Sequence, residues 1–262
     1  MTQMNGSDSP DDARRRGNRT LRVLRTARVT PRMTRITLGG PELASFPKHG
    51  PDQRIKMFFP VPGQLRPAMP RASSGGPVWP PGEPRPVIRT YTVRRHDPAA
   101  GELDVDFVLH GGHGPAASWA AKAEQGDWVG VSEPGGRYQP DPAADAHLVI
   151  GDESALPAIA TVLAALPAGV VTEVFVEVAD AAEEQPLPTA ADARVRWLHR
   201  VARPAGEALI EAIRVLPAVP GGRCQAWVSA ESAAVRDIRA FLLDSRGLSR
   251  RQVYATGYWR AR

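Results

Sequence analysis

Cysteine is nearly absent from this sequence of 262 residues, which contains a single one, Cys224. An internal disulfide needs two cysteines, and a self-contained iron–sulfur cluster normally takes four protein ligands. Both are therefore excluded, and any electron carrier must be organic or bound in trans. Because Cys224 opens an apolar segment, we interpret it as a small core residue and not as a nucleophile.

Lysine is also scarce, since only Lys48, Lys56 and Lys122 occur among the 33 basic residues and the others are arginines. The formal net charge is +5, but 28 acidic residues are scattered among the basic ones. No long basic run is present, and few aromatic residues accompany the arginines. This pattern does not indicate nucleic-acid binding, and we interpret the charge as mild steering of anionic ligands.

Long hydrophobic runs are missing as well. Residues 1–18 are polar and show no periodicity, so they are predicted to form a disordered tail. The arginine cluster at residues 14–16 is not followed by an apolar region, because three further arginines interrupt the next segment. The sequence predicts neither a signal peptide nor a membrane span, and we expect a cytoplasmic protein.

Short segments rich in β-branched and aromatic residues occupy the first half of the chain and are separated by turn residues. These six segments predict an antiparallel barrel or sandwich of six strands, of which we adopt the six-stranded barrel. The strand segments are Leu21–Thr30, Met33–Leu38, Arg54–Phe59, Val87–Arg94, Leu103–His110 and Asp127–Val131. One helix is predicted over Pro115–Glu124, and the Pro/Gly-rich segment 60–86 is either a lid near a site or a disordered insertion, of which we favour the second.

Strands alternate with helices after Tyr138, which predicts βαβ units and a parallel sheet. We therefore divide the chain into the tail 1–18, a barrel domain 19–140 and an α/β domain 145–262. The predicted strands are His147–Gly151, Val170–Val178, Val195–His199, Gln225–Ser229 and Gln252–Thr256. The predicted helices are Ser154–Leu166, Glu207–Leu216 and Ser232–Ser245.

Three segments carry candidate chemistry. Arg89–Arg94 reads Arg-Thr-Tyr-Thr-Val-Arg on a strand, where side chains alternate between the two faces. His110–Trp119 is a glycine-rich turn that opens a helix, where free N–H groups favour a phosphate. Gly151–Ile159 is a second strand-to-helix turn, at the sheet edge where open α/β sheets bind ligands. Taken singly, each also suits an ordinary strand or a capped helix start, with Ser154 as the cap of the second turn.

The order of these segments, ending in Gly257–Arg260, resembles the siderophore-interacting protein family. These are FAD-dependent ferric-siderophore reductases within the ferredoxin–NADP reductase superfamily. The resemblance runs from about residue 20 to the C-terminus. It implies that the barrel carries FAD and the α/β domain carries NADPH or NADH, with the flavin at the interface and a ferric siderophore as electron acceptor.

The resemblance also implies residue roles. Arg89 would pair with the flavin phosphates, Tyr91 would contact the flavin and its ribityl chain, and Thr92, the one catalytic residue assigned, would hydrogen-bond near flavin N5. The other implied cofactor residues are Gly114, Pro115 and Ala116 at the pyrophosphate, His110 and Gly111 in the cofactor pocket, Gly151, Asp152, Ser154 and Ala155 on the nicotinamide side, and Trp259 near the flavin mouth.

Iron-loaded siderophores are often anionic and too bulky for a deep pocket, so we expect docking through a few cations at the flavin mouth. The predicted substrate-binding residues are Lys56, Arg260 and Arg262, whose alternative interpretation is that of solvated surface charges.

Other candidate sites are less well supported. His110 and His113 have no third ligand with matching spacing, so no metal site is predicted. Asp104 and Asp106 share a strand face, but strand-face aspartates are usually solvated and no second catalytic feature supports them. Three tryptophans are interpreted as core residues, namely Trp119, Trp197 and Trp227.

Two alternative functions stay open at this point. One is a general NAD(P)H:flavin oxidoreductase with another acceptor, such as a ferredoxin or free ferric chelates. The other is a non-enzymatic siderophore-binding module. The sequence leaves open the siderophore and the oligomeric state, with a monomer as the working expectation. It also leaves open the choice between NADH and NADPH, because a 2′-phosphate could bind any of Arg194, Arg196, Arg200 and Arg203.

Overall fold

The computed structural model of the chain describes residues 17–71, 73, 75–110, 114–136, 138–216 and 222–261. These residues form one antiparallel and one parallel sheet, which succeed each other along the chain. The predicted fold class, an antiparallel barrel followed by a parallel-sheet α/β unit, is confirmed. Only the number of barrel strands is wrong, since the described residues form seven and not six.

The antiparallel sheet has the strand order β4-β3-β7-β1-β2-β6-β5. Its strands are β1 (Arg19–Thr30), β2 (Met33–Gly39), β3 (Arg54–Phe59), β4 (Val87–Thr92), β5 (Arg95–Asp97), β6 (Glu102–Val108) and β7 (Trp128–Val131). The sheet is barrel-like but not closed, and the strong curl brings the Tyr91 ring of β4 to 4.3 Å from the Phe107 ring of β6, measured between centroids. Its buried core includes Phe59, Phe107 and Val129, and helix α1 (Pro115–Ala120) contacts β3, β4 and β6.

The strand that the sequence does not predict is β5. It has only three residues and no apolar alternation, so no pattern indicates it. Ion pairs hold it in place, because the Arg95 guanidinium contacts both Glu102 and Asp104 on the neighbouring strand. The turn into β6 is tied by Asp97, whose carboxylate accepts hydrogen bonds from two backbone N–H groups. The strand is therefore made by charge pairing across the sheet.

Asp104 and Asp106 are buried, and the expectation that they are solvated is wrong. The Asp104 carboxylate accepts hydrogen bonds from Thr37 and Arg95, and Asp106 forms a two-pronged pair with Arg35 at 2.7 and 2.8 Å. Buried carboxylates need such partners to offset their loss of hydration. All these contacts lie within the sheet, so the two aspartates have a structural role.

The described residues of the segment 60–86 lie against the outer face of the barrel, which differs from the disordered insertion favoured from its composition. The Met69 side chain lies against Gly130, where any Cβ would overlap its sulfur, and the Arg66 guanidinium lies 3.8 Å from the Trp128 ring. Arg71 and Val78 exchange two backbone hydrogen bonds. The described residues of this loop thus cover a sheet face.

The parallel sheet has the order β10-β9-β8-β11-β12. Its strands are β8 (Ala146–Asp152), β9 (Val171–Val178), β10 (Asp192–His199), β11 (Cys224–Glu231) and β12 (Val253–Trp259). Helix α2 (Leu156–Ala165) covers one face, and helices α3 (Glu207–Arg214) and α4 (Ser232–Asp244) cover the other. Strand alternation places Val149 under α2 and Leu148 under α3 and α4, which explains why β8 is apolar on both faces.

The barrel and the α/β unit share a buried contact. Met33 of β2 belongs to the same apolar cluster as α2, and Tyr138 joins it from the connecting segment. The buried Glu183 carboxylate accepts hydrogen bonds from the Thr30 hydroxyl and the Arg32 backbone. Within the described part of the chain, no helix is long and apolar enough to cross a bilayer.

Candidate functional site

Arg89 and Tyr91 lie on β4, an edge strand of the antiparallel sheet. The Tyr91 ring packs against the barrel core, and burial raises the pKa of its phenol to about 12, with the Arg89 charge acting in the opposite direction. Arg89 is exposed, and its only hydrogen bond within the described residues goes to the adjacent Ile88 carbonyl. The guanidinium therefore has donors left for a ligand.

The start of helix α1 lies near this strand, because α1 contacts β4. Gly114 precedes the helix, Pro115 is its first residue, and no side chain caps the first turn. The uncapped N–H groups give this end hydrogen-bond donors and positive potential. The exposed His110 ring lies 3.5 Å from the point where a Gly114 side chain would begin. Gly111 and His113 lie outside the described residues.

Thr92 occupies the opposite face of β4, is buried, and interacts with the phenol of Tyr258 on β12. Burial raises the pKa of Tyr258 well above its usual value, the nearby Asp52 charge raises it further, and the Thr92 hydroxyl opposes both. The Arg-x-Tyr-Thr strand of the barrel thus directly contacts the last strand of the parallel sheet.

Asp52 lies at the centre of this junction. Its carboxylate is fully buried, and Oδ1 accepts a hydrogen bond from the Tyr258 hydroxyl. Oδ2 has no partner within the described residues. Burial raises the pKa of Asp52, while the Tyr258 hydrogen bond and the Arg54 charge oppose the rise. The Arg54 guanidinium donates to the Tyr254 hydroxyl at 2.8 Å, which links β3 directly to β12.

The backbone around Asp52 is fixed as tightly as its side chain. Its φ of 56° lies in the left-handed region that aspartate tolerates better than most residues. Its N–H donates to the Thr161 hydroxyl of α2 at 3.1 Å, and a Cβ at Gly136 would approach its carbonyl oxygen to 2.6 Å. The sequence analysis missed this residue, because a Pro-Asp pair in a turn gives no signal of a contact 206 positions away.

The carboxyl edge of the parallel sheet is organised by Asp152. Its buried carboxylate accepts four hydrogen bonds, two from Ser154 at Oδ1 and, at Oδ2, one from the Glu231 backbone (2.9 Å) and one from the Trp259 indole (2.7 Å). Burial raises the pKa of Asp152 to about 6, with a further rise from the Glu153 charge. Trp259 is half-buried and is thereby held at the end of β8.

The turn after β8 differs from the predicted one in its cap. Asp152 caps a short 3-10 helix, Glu153–Ala155, and Ser154 is a donor to that cap and not the cap itself. Gly151 and Ala155 are buried, and a Cβ at Gly151 would lie 2.8 Å from both the Ala155 methyl and the Ser229 carbonyl oxygen. The glycine therefore lets β8 and the following turn pack closely, and only Ser154 is partly exposed among the predicted turn residues Gly151, Asp152, Ser154 and Ala155.

Two predicted substrate-binding cations are exposed near the junction. Lys56 lies two residues beyond Arg54 on β3, so the two side chains leave the same face of the strand about 7 Å apart. Arg260 follows Trp259 directly at the end of β12. Neither side chain has an ion-pair partner among the residues that the structure describes, and Arg262 lies outside them.

The other singled-out residues lie in the core. Trp227 is fully buried, and Trp119 and Trp197 pack at the edges of two apolar clusters. Burial raises the pKa of Cys224 to about 12, which keeps it a thiol at neutral pH and unsuited to nucleophilic attack. The core interpretation of all four residues agrees with their positions.

The donor set at the barrel edge fits an anionic dinucleotide. Three groups lie on the neighbouring elements β4 and α1. They are the Arg89 guanidinium with its unused N–H groups, the partly exposed Tyr91 and the uncapped start of α1. Phosphates are bound in proteins by this combination of planar cationic donors and helix N–H groups. The residues of this chain therefore match the requirements of FAD.

Comparison with known proteins agrees with this geometry. Residues 22–138 match the family described as siderophore-interacting FAD-binding domain, and residues 144–262 match siderophore-interacting protein. The chain is 35% identical to ferric vibriobactin reductase of Vibrio cholerae, over 92% of this chain and 89% of the relative. A ferredoxin NADP+ reductase from Neisseria gonorrhoeae shares the fold, with a TM-score of 0.62 at 16% identity over 92% of this chain and 99% of that one.

A solved structure has a higher similarity. The crystal structure of a siderophore utilization protein from T. fusca superimposes with a TM-score of 0.81 at 38% identity, covering 93% of this chain and 92% of that one. The matched families span both sheets, including the Arg-x-Tyr-Thr strand and the terminal Tyr-Trp-Arg. On this sequence and structural evidence, the chain belongs to the siderophore-interacting protein family and carries its FAD-binding domain.

Proposed function

We propose that this chain transfers electrons from NADH or NADPH, through FAD, to a ferric siderophore and so releases Fe(II). The observation that carries the proposal is the junction at which Asp52 and Arg54 hydrogen-bond to Tyr258 and Tyr254 of β12, beside Thr92 on β4. It brings the FAD-type strand of the barrel against the carboxyl edge of the parallel sheet, the edge at which such sheets bind nucleotides. A relative that is named a ferric vibriobactin reductase supports the choice of substrate class.

FAD would be held mainly by the barrel, whose extent we propose as residues 19–140. The Arg89 guanidinium would pair with phosphate oxygens, Tyr91 would pack against the flavin portion, and the buried Thr92 hydroxyl would hydrogen-bond near N5. The start of α1 would contribute its backbone N–H groups at the pyrophosphate. The proposed residues there are Gly114, Pro115 and Ala116, with His110 and Gly111 beside them.

The nicotinamide nucleotide would bind at the carboxyl edge of the α/β domain, proposed as residues 145–262. Ser154 is partly exposed and would contact it directly, while Gly151 and Ala155 would shape the turn through close packing. Asp152 would act through its hydrogen bond to Trp259, which sets the indole at the mouth between the two units.

Bound FAD would supply a carrier that takes up two electrons together and releases them singly, which ferric iron requires. The protein orients donor and acceptor at the junction and excludes water there, since Asp52 and Thr92 are buried. Reduction to Fe(II) weakens binding by hard, anionic oxygens, so iron is released. We propose that this takes place in the cytoplasm.

An anaerobic titration tests the proposal. The FAD-loaded protein is mixed with NADH or NADPH, and loss of the yellow flavin absorbance is followed. A ferric tris-catecholate siderophore is then added together with an Fe(II)-specific chelator. We expect bleaching, followed by recovery of the absorbance and formation of the coloured Fe(II) complex.

Other outcomes of the titration favour the alternatives. Absence of bleaching with both nucleotides contradicts the reductase and favours a siderophore-binding module. Bleaching without Fe(II) formation, but with turnover of a ferredoxin or of ferric citrate, favours an oxidoreductase with another acceptor. Each outcome therefore separates one functional class from the other two.

The docking of the siderophore has its own test. Lys56→Glu combined with Arg260→Glu should slow reduction of an anionic ferric siderophore and flatten its dependence on salt, because charge attraction at the mouth is lost. Flavin reduction by the nucleotide should stay unchanged. The control is Lys122→Glu combined with Arg194→Glu, which changes the net charge by the same amount at two other exposed positions. Equal rates for both double variants at low ionic strength would rule out docking at these residues.

A further inference from the structure

The arrangement of charge at the carboxyl edge of β9 and β10 bears on the choice between NADH and NADPH. In dinucleotide-binding sheets an acidic residue near the end of the second strand contacts the 2′-hydroxyl of the adenosine ribose, whereas a nearby arginine accommodates a 2′-phosphate. Here β8 is the first strand and β9 the second, and β9 ends with Glu177 and Val178. The second strand thus carries an acid at its end.

Arg200 is the cation nearest to this position, and it is already neutralised. Its Nε donates to Glu177 at 2.8 Å, and its Nη2 forms a short hydrogen bond with Glu153. The side chain is only 17% exposed, and Glu177 is fully buried. Glu177 is further fixed by the backbone N–H groups of Gly206 and Leu209. The Glu153–Arg200–Glu177 triad therefore has a net charge of −1 and little freedom to rearrange.

The other candidate arginines are also paired. Arg194 and Arg196 contact Glu173, which lies four residues before Glu177 on β9 and therefore about 13 Å from the carboxyl edge. Arg203 lies at the edge, and its guanidinium pairs with Glu211 at 2.6 Å. None of the four arginines is thus free to bind a phosphate without losing a carboxylate partner.

Further acids surround the edge. Asp180, which pairs with the exposed Arg32 at 3.7 Å, and Glu184, which contacts His199 at 2.8 Å, follow β9 and are both partly exposed. Glu183 is buried between them, and Glu207 opens α3, so that acids still outnumber the arginines at this edge. A phosphate dianion placed here meets a surplus of negative charge, while a ribose hydroxyl finds carboxylate acceptors.

We propose that this edge selects a nucleotide whose adenosine ribose has a free 2′-hydroxyl, with the Glu153–Arg200–Glu177 triad as its specificity determinant, so that NADH and not NADPH is the electron donor. The inference rests on the proposed function, because it presupposes that a nicotinamide nucleotide binds at this edge. The triad acts by denying a 2′-phosphate the charge-assisted hydrogen bonds that a free arginine would supply.

Fragment binding measures this preference without turnover. ADP-ribose and 2′-phospho-ADP-ribose are titrated into the FAD-loaded protein by isothermal calorimetry. We expect the unphosphorylated fragment to bind at least about tenfold more tightly, which corresponds to one missing charge-assisted hydrogen bond. Flavin reduction should show the same order, with the lower KM for NADH.

Two matched variants locate the determinant. Glu153 and Glu173 have equally exposed side chains (16%), and each pairs with arginine, but only Glu153 lies at the carboxyl edge. Glu153→Gln frees one side of Arg200 and should reduce the preference by about fivefold, the effect of removing one nearby unit charge in a water-like dielectric. Glu173→Gln should leave the preference unchanged. Melting temperatures of both variants check that each is folded.

The outcomes separate the two proposals. Equal or tighter binding of the 2′-phosphorylated fragment by the unaltered protein overturns the NADH preference and leaves the reductase intact. If neither fragment binds and neither nucleotide bleaches the flavin, the proposed function fails and the preference fails with it. If the preference exists but Glu153→Gln and Glu173→Gln behave alike, the triad is not its determinant.

Discussion

Asp152→Asn replaces one carboxylate oxygen with an NH2 group and leaves the size of the side chain almost unchanged. In the structure both oxygens are acceptors, Oδ1 for the Ser154 backbone and hydroxyl, and Oδ2 for the Glu231 backbone and the Trp259 indole. An asparagine supplies one acceptor oxygen, so whichever way its amide is turned, its NH2 group faces N–H or O–H donors.

The cost follows from the number of donors left without an acceptor. If the oxygen stays with Ser154, the Glu231 N–H and the Trp259 indole lose their partner, and the Glu231 bond is buried. Only the Glu231 N–H is buried, because the Trp259 indole is partly exposed, and one unsatisfied buried donor costs about 1–3 kcal/mol of the free energy of unfolding. That is a large fraction of the 5–15 kcal/mol by which native domains are typically stable.

Asp180→Asn is the matched control. Asp180 also caps a short 3-10 helix through one backbone N–H, that of Ala182. Its side chain is 50% exposed, and its other contact among the described residues is an exposed ion pair with Arg32 at 3.7 Å. Asparagine is as good a cap as aspartate at such a position, so we expect a change of about 0.5 kcal/mol or less. Both variants are compared with the parent by urea unfolding at pH 7 and equal FAD saturation.

The Asp152 variant should therefore be less stable than the Asp180 variant by about 0.5–3 kcal/mol. Asp152→Asn should also change the fluorescence of Trp259, since its indole loses the bond that holds it at the mouth. Equal stability of the Asp152 and Asp180 variants would refute the view that four donors converge on one buried carboxylate. The pKa of about 6 gives a further check on the parent, because a raised carboxyl pKa means that the contribution of Asp152 to stability falls as the pH rises from about 4 to about 6.

Three further predictions concern separate parts of the chain. Arg89→Ala should weaken FAD binding by about tenfold to a hundredfold, because one charge-assisted contact to a phosphate is lost. Flavin fluorescence titration measures the affinity, with the exposed-surface variant Arg194→Ala as control. Equal FAD affinities of the two variants would contradict the assignment. Deletion of residues 1–16 should leave the melting temperature and flavin content nearly unchanged, whereas a loss of bound FAD would show that this segment contributes to the fold. His147 is buried, and neither ring nitrogen has a partner in the described residues. Burial lowers its pKa from 6.5, while the charge of Asp141 opposes this shift. The contribution of His147 to stability is therefore lost as the pH falls below about 6.5. His147→Phe should remove this acid-side loss in unfolding experiments between pH 7 and pH 5, and identical pH profiles for parent and variant would contradict the reasoning.

The last two residues of the predicted tail make hydrogen bonds to the barrel domain. Gly17 and Asn18 belong to the polar segment, yet the Gly17 N–H donates to Glu133 and the Asn18 amide donates to the Pro70 carbonyl. A deletion that extends to residue 18 therefore removes two hydrogen bonds that a deletion ending at residue 16 keeps. Comparing the two truncations measures what this attachment contributes.

Apart from β5, the strands, the helices and the order of the two sheets could be predicted from the sequence, because these depend on local periodicity. Strand β3 begins and ends where its apolar alternation predicts, at Arg54 and Phe59, and β9 lacks only the first predicted residue. The segments that resemble the family were also recognisable, since each is a short run of residues on a strand or at a strand end. Their chemistry needs neighbours that are close along the chain.

Which polar groups face one another, by contrast, depends on how the sheets pack. The Asp52–Tyr258 bond, the Thr92–Tyr258 contact and the bond from Trp259 to Asp152 join residues more than a hundred positions apart. The composition of residues 60–86 likewise gives no sign that Arg66 lies on Trp128. Arg200 is neutralised because Glu153 and Glu177, at the ends of two other strands, lie within ion-pair distance of it. Hydrogen bonds and ion pairs fall off within a few ångströms, and those distances are set by how the sheets pack and not by the spacing of residues along the chain.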